Sequence, residues 1–122
     1  MSVRVLIVDD QEPFRLAARM VVDATDGFEV VGQAETGESS VEMARELAPD
    51  LVLMDVNLPG IDGVEATRRL RTSDLPPVVL LLSTYDEADG ELFVAASGAA
   101  AYVTKARFGP DRLVEAWCAA LG

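Results

Sequence analysis

The chain has 122 residues, 50% hydrophobic and 25% charged, which suits one folded domain and excludes a disordered or low-complexity chain. Its 10 basic residues stand against 21 acidic ones, and the net charge of −11 repels phosphate backbones and anionic headgroups, so this domain alone is expected to grip neither nucleic acid nor a membrane. There is no His, which excludes imidazole bases, a phosphohistidine carrier and His-containing zinc sites, and the single Cys118 cannot form an internal disulfide.

The apolar run Val3 to Val8 predicts a first strand, followed by a helix opening at Pro13 with Phe14, Ala17, Ala18, Val21 and Val22 on one face. Phe28 to Val31 reads as a second strand, and Val41, Ala44, Leu47 and Ala48 as a helix ending at Pro49. Leu51 to Met54 is the third strand, 63–72 a helix, Val78 to Leu82 the fourth strand, 87–97 a helix, and Ala100 to Val103 the fifth strand. A closing helix follows Pro110, with Leu113, Ala116, Trp117, Ala120 and Leu121 at helical spacing. Gly90 and the small, acidic composition around it make 87–97 the least firmly packed helix of the set. Strands one, three and four lack polar alternation, as expected when helices cover both faces of a parallel sheet. The fold predicted is α/β, a flavodoxin-like (βα)5 doubly wound open parallel sheet with strand order 2-1-3-4-5, since a closed eight-stranded barrel needs about twice the residues. No apolar run reaches the roughly 18 residues of a membrane span, and Asp9-Asp10 come too early for a signal peptide, so a cytoplasmic location is expected.

In such sheets ligands sit beyond the carboxyl ends of the strands, where strand order reverses. The first strand runs into Asp9 and Asp10 and the third into Asp55; as neighbours they bring three carboxylates to one crevice. Like charges that close disfavour mutual ionisation, and a hard divalent cation such as Mg²⁺, or Mn²⁺ in its place, offsets them. The fourth strand ends at Ser83-Thr84 and the fifth at Lys105, the only Lys among ten cationic residues. Three acids, a hydroxyl and an amine, each just after a different strand, can hold a metal, offer a carboxylate nucleophile and donate to the oxygens of a transferred phosphoryl group.

Through LIVDDQ (6–11), LVLMDVNLPGIDG (51–63), LLSTYD (81–86), SGAAAYVTK (97–105) and the closing helix, the chain resembles receiver domains of bacterial two-component response regulators along essentially its whole length. VRVLIVDDQ, VVGQAETG and DGVEATRRLR make it most similar to the NarL/LuxR-type subgroup. The resemblance implies Asp55 as phospho-acceptor, with Asp9, Asp10, Asp55 and the backbone carbonyl of Asn57 around Mg²⁺. It implies Lys105 and Ser83 as groups that contact the phosphoryl, Tyr102 as the aromatic that reports the state to the outer face, and Asn57 and Tyr85 as positions that tune phosphoryl lifetime. A sensor histidine kinase is the implied donor, homodimerisation on phosphorylation the implied response, and transcriptional control the implied output. Residues 1–122 are read as one receiver domain from which a C-terminal DNA-binding helix-turn-helix is missing. Ala106 stands where many receivers have Pro, which puts the shape of that loop in question.

Three alternatives stay open: a natural single-domain regulator, a pseudo-receiver that is never phosphorylated, and a Mg²⁺-dependent aspartyl phosphatase. The last usually carries an acid two residues after its nucleophile, where Asn57 stands here, so a turnover enzyme is not expected. The basic stretch RRLR (68–71) reads as a solvated helix face, not a DNA patch.

Overall fold

A computed structural model describes residues 2–122 as five strands alternating with five helices: β1 (Val3–Val8), α1 (Glu12–Asp23), β2 (Phe28–Ala34), α2 (Gly37–Leu47), β3 (Leu51–Asp55), α3 (Gly63–Arg71), β4 (Val78–Ser83), α4 (Glu87–Ser97), β5 (Ala101–Thr104) and α5 (Pro110–Leu121). All pairings are parallel, as the alternation predicts, and the order is β2-β1-β3-β4-β5, that of the flavodoxin-like fold expected.

The central strands are buried on both faces, and their period-two alternation sorts them into two cores. Leu6, Val8, Val52, Met54, Val79 and Leu81 pack beneath α2, α3 and α4 with Ala66 and Leu70. Val5, Ile7, Leu51, Leu53, Leu80 and Leu82 pack on the other face with Ala18 and Val22 of α1 and Leu113 of α5. Burying each of the larger aliphatic side chains contributes about 1.5–3 kcal/mol, which fixes strand register, because a one-residue slip would turn each strand inside out.

Helix ends follow side-chain capping. Thr36 and Ser39 form a reciprocal capping box at α2, and Asp62 and Asp86 accept the backbone N–H groups of Glu65 and Asp89 at the starts of α3 and α4. Both α1 and α5 begin with Pro in the first turn.

Several boundaries differ from the sequence reading. β2 runs on through Gly32-Gln33 to Ala34, because it pairs with β1 along its length past a register shift at Val5/Leu6; the polar interruption concealed this. Ala48 lies outside α2 and caps it in the left-handed conformation at φ 47°. Ala17, Ala120 and Leu121 are exposed, since each helix buries a stripe narrower than its apolar spacing allows. Of the RRLR stretch Leu70 is buried, and the three arginines are exposed yet engaged within the molecule: Arg68 donates to the Ala96 carbonyl at 2.8 Å, Arg69 pairs with Glu65 at 3.1 Å, and Arg71 donates to the Pro77 carbonyl at 3.1 Å. Among the described residues no helix is long and apolar enough to cross a membrane.

Candidate functional site

The alternation that sorts the cores also sorts the strand-end residues. Asp55 continues the row of Leu51 and Leu53, and Asp9 that of Val5 and Ile7, toward α1 and α5; Ser83 continues the row of Val79 and Leu81, toward α3 and α4. Asp55 and Ser83 are the last residues of β3 and β4, not residues of the loops beyond, so the sheet itself holds their backbones.

Asp9 and Asp55 are buried and Asp10 is exposed, and each of the three brings a carboxylate oxygen within 4.8 Å of the others. Asp9 Oδ1 accepts the Gln11 N–H at 2.8 Å and Asp55 Oδ1 the Asn57 N–H at 3.3 Å, so each carboxylate anchors its own following loop. The second oxygen of Asp9 is different. Lys105 Nζ lies 2.8 Å from it as an ion pair, but off the hydrogen-bonding directions, and this buried oxygen has no hydrogen bond. Lys105 Nζ is also 3.6 Å from Asp55 Oδ2. Three carboxylates against one ammonium leave an excess of negative charge. Burial first, then the charge of Asp9, push the Asp55 carboxyl up to about 6, against the opposing pull of Lys105. Three carboxylate oxygens within 4.8 Å of one another, with surplus negative charge around them, fit a hard divalent cation.

Lys105 opens a 3₁₀ turn, Lys105–Arg107, closed by the Phe108 N–H donating to the Lys105 carbonyl at 3.4 Å. No peptide bond among the described residues is cis. With Ala106 in the loop, its shape is held instead by Phe108 packing on Phe14 at 6.4 Å between ring centroids, and by Arg107 pairing with Glu87 at 2.7 Å.

On the α4 side, the Tyr85 hydroxyl donates to Asn57 Oδ1 at 3.3 Å and the Tyr102 hydroxyl to the Tyr85 carbonyl at 2.6 Å. Burial holds the Tyr102 hydroxyl above its ordinary pKa, so it stays a neutral donor. Its ring lies over Gly90 and edge-on to Phe93. α4 fully buries only Gly90 and Ser97, in line with the weak packing predicted, but Gly90 is no defect: any Cβ there would occupy the space of the Tyr102 ring. Gly90→Ala is expected to destabilise the protein by about 1–3 kcal/mol. The loss should largely vanish in Gly90→Ala/Tyr102→Ala, as a double-mutant cycle in urea denaturation would show; an additive pair would refute the contact.

Three residues support the site without having been read as part of it: Arg15, Glu38 and Phe14, the last read only as part of the apolar face of its helix. Arg15 donates to the Asp9 carbonyl at 2.8 Å and pairs with Glu35 at 3.2 Å. Glu38 accepts the Ile61 N–H at 3.4 Å beside Gly60, whose φ of 75° suits Gly, and so holds the loop after Asp55 to the start of α2. Phe14 places its ring centroid 4.4 Å from Lys105 Nζ. What they share in the sequence is a place in the first turn of a helix at this sheet edge.

The model of the response regulator receiver domain matches residues 5–117. The chain is 45% identical over 103 residues to the response regulator GacA of Pseudomonas viridiflava, covering 84% of this chain and 48% of that protein. It is 38% identical over 114 residues to the response regulator UvrY of Escherichia coli K12, covering 93% of this chain and 52% of that protein. The chain thus spans about half the length of these relatives. The crystal structure of a LuxR-family two-component response regulator from Aurantimonas sp. SI85-9A1 superposes with a TM-score of 0.87 at 34% identity, over 99% of this chain and 86% of that one. Fold, strand-end residues and relatives converge: the chain belongs to the response regulator receiver domains of two-component systems, within their NarL/LuxR-type group.

Proposed function

We propose that Asp55 accepts a phosphoryl group from the phosphohistidine of a partner sensor kinase. The observation that carries this reading is the gathering of the Asp9, Asp10 and Asp55 carboxylates within 4.8 Å of one another, with Lys105 Nζ 2.8 Å from Asp9 and 3.6 Å from Asp55. An Asp55 carboxylate oxygen forms a bond to phosphorus as the bond to the donor's imidazole nitrogen breaks, and that nitrogen keeps the electron pair. Asp9, Asp10, Asp55 and the Asn57 carbonyl would hold Mg²⁺, which when bound neutralises charge on the phosphoryl oxygens. Lys105, already between Asp9 and Asp55, moves its ammonium onto a phosphoryl oxygen, and the Ser83 hydroxyl donates from the opposite face of the sheet.

The added charge draws Ser83 inward and shifts the seat of Tyr102 on Gly90, biasing the face formed by α4, β5 and α5. Asn57, two residues after Asp55, is hydrogen-bonded to the Tyr85 hydroxyl, and this pair tunes how readily water reaches the phosphoaspartate and so its lifetime. Asn57 cannot supply the proton that a turnover phosphatase gives its leaving group. The domain therefore loses its own phosphoryl group slowly and is not a turnover enzyme.

Because the relatives are about twice as long, we place this domain in a cytoplasmic transcription regulator whose helix-turn-helix contacts DNA and whose receiver pairs with a second copy when phosphorylated. Incubation with acetyl phosphate should add one phosphoryl group, read by intact mass, when Mg²⁺ is supplied, and none in EDTA. An equal adduct without a divalent cation would contradict the metal-assisted site, and none under either condition would favour a pseudo-receiver.

A further inference from the structure

Phe14 lies on the apolar stripe of α1, where its spacing reads as core packing. Its ring does pack against that core, and it also meets the sole lysine of the chain, 4.4 Å from centroid to Nζ. We infer that Phe14 is a positioning residue for phosphoryl transfer, whose ring face keeps the Lys105 ammonium at the acceptor while leaving it free to move between Asp9 and Asp55. This inference rests on the phospho-acceptor reading of Asp55.

The ammonium has three close neighbours: Asp9 at 2.8 Å, Asp55 at 3.6 Å and the ring. No well-directed hydrogen bond joins it to the Asp9 oxygen it approaches most closely, so direction is not what holds it there. A flexible four-carbon stem would otherwise let the head group reach outward to water. An aromatic face attracts a cation through its quadrupole without the directional demand of a hydrogen bond, so the cation can slide over the ring face and stay attracted. Transfer to Asp55 calls for such a slide, because the phosphoryl group brings its charge to the Asp55 side of the ammonium.

The ring is itself well placed to act as a fixed surface. Phe14 donates its N–H to the Gln11 carbonyl at 3.1 Å, while the Gln11 N–H is bound to Asp9 at 2.8 Å. On its other side Phe14 packs on Phe108, whose N–H closes the turn begun by Lys105. Thus one residue connects, through its backbone, the turn that orients Asp9 and, through its ring, the turn that carries Lys105.

The test replaces Phe14 by 4-fluoro-, 3,5-difluoro- and pentafluorophenylalanine, which nearly preserve shape while draining electron density from the ring face. The rate of adduct formation with acetyl phosphate and Mg²⁺ should fall in step with fluorination, by about tenfold at the end of the series, the scale of a partly desolvated cation–π contact. Phe14→Tyr and Phe14→Trp should keep most of the rate and Phe14→Leu should lose about as much as the pentafluoro variant. In metal-free protein labelled with ¹³C-lysine, the single lysine should show its ε-methylene protons shifted upfield by the ring, and Phe14→Leu should abolish that shift. In a Lys105→Ala background Phe14→Leu should slow the residual reaction no further. Rates indifferent to fluorination, or the same fold loss from Phe14→Leu with and without Lys105, would overturn this inference alone. A wild type that gains no adduct would overturn the phospho-acceptor reading and the inference with it.

Discussion

Asp55→Asn is expected to be inert to acetyl phosphate and, in metal-free buffer at pH 8, more stable than the wild type by about 2–3 kcal/mol. The gain follows from the rise of the Asp55 carboxyl from 3.8 to about 6 through burial and the neighbouring Asp9 charge, each unit being worth about 1.4 kcal/mol. A carboxyl whose pKa is raised by folding contributes stability in its protonated form. That contribution is full below the unfolded value, declines as pH rises through the folded value, and is gone above it. The wild type should therefore lose stability between about pH 4 and 7 in EDTA relative to the Asn variant, whose uncharged amide keeps the acceptor for the Asn57 N–H. Urea denaturation of both proteins across this range measures the difference. Mg²⁺ should narrow or reverse it, since a cation favours the ionised wild-type site. A variant no more stable than wild type at pH 8 would mean that Asp55 is not held among uncompensated carboxylates.

Gly63→Ala should have the largest purely structural effect, a loss of about 2–4 kcal/mol together with slowed acceptance of a phosphoryl group. Gly63 begins α3 and its N–H donates to the Val56 carbonyl at 2.8 Å, drawing the helix against the end of β3. A Cβ here would land inside the Asp55 carbonyl oxygen and 2.8 Å from the Val56 Cα. Both are backbone atoms, with no side-chain rotation to relieve the overlap, so either α3 moves out or β3 moves with the Asp55 carboxylate. Chemical denaturation and the adduct rate check the two parts separately. A variant of wild-type stability would show that α3 adjusts at little cost and that the close approach does not set the position of Asp55.

The succession of strands and helices was legible because it rests on local pattern: unbroken aliphatic runs for β1, β3 and β4, helical spacing after Pro13 and Pro110, and turn residues between them. Alternation and chain length called for an open parallel sheet, and the order 2-1-3-4-5 came with the flavodoxin-like fold class. The sequence also brought Asp9, Asp10, Asp55, Ser83 and Lys105 to one sheet edge, since every parallel strand delivers its carboxyl end to the same side. What local pattern misread were positions whose environment comes from elsewhere in the chain. Gly32 and Gln33 belong to β2 because β1 supplies their pairing, and Gly90 is small because Tyr102, from β5, needs the space.

By its residues and their order alone, then, this chain determined an acidic (βα)5 domain with carboxylates, a hydroxyl and its single amine at the strand ends. Only the tertiary structure decided how they divide. Asp9, Asp55 and Lys105 gather on the α1 and α5 side with Phe14, while Ser83 and Tyr102 lie on the side of α3 and α4. The physical reason is that the side of a sheet a residue takes depends on the register of its strand, and register is set by burial of the whole two-faced core, not by any segment read alone.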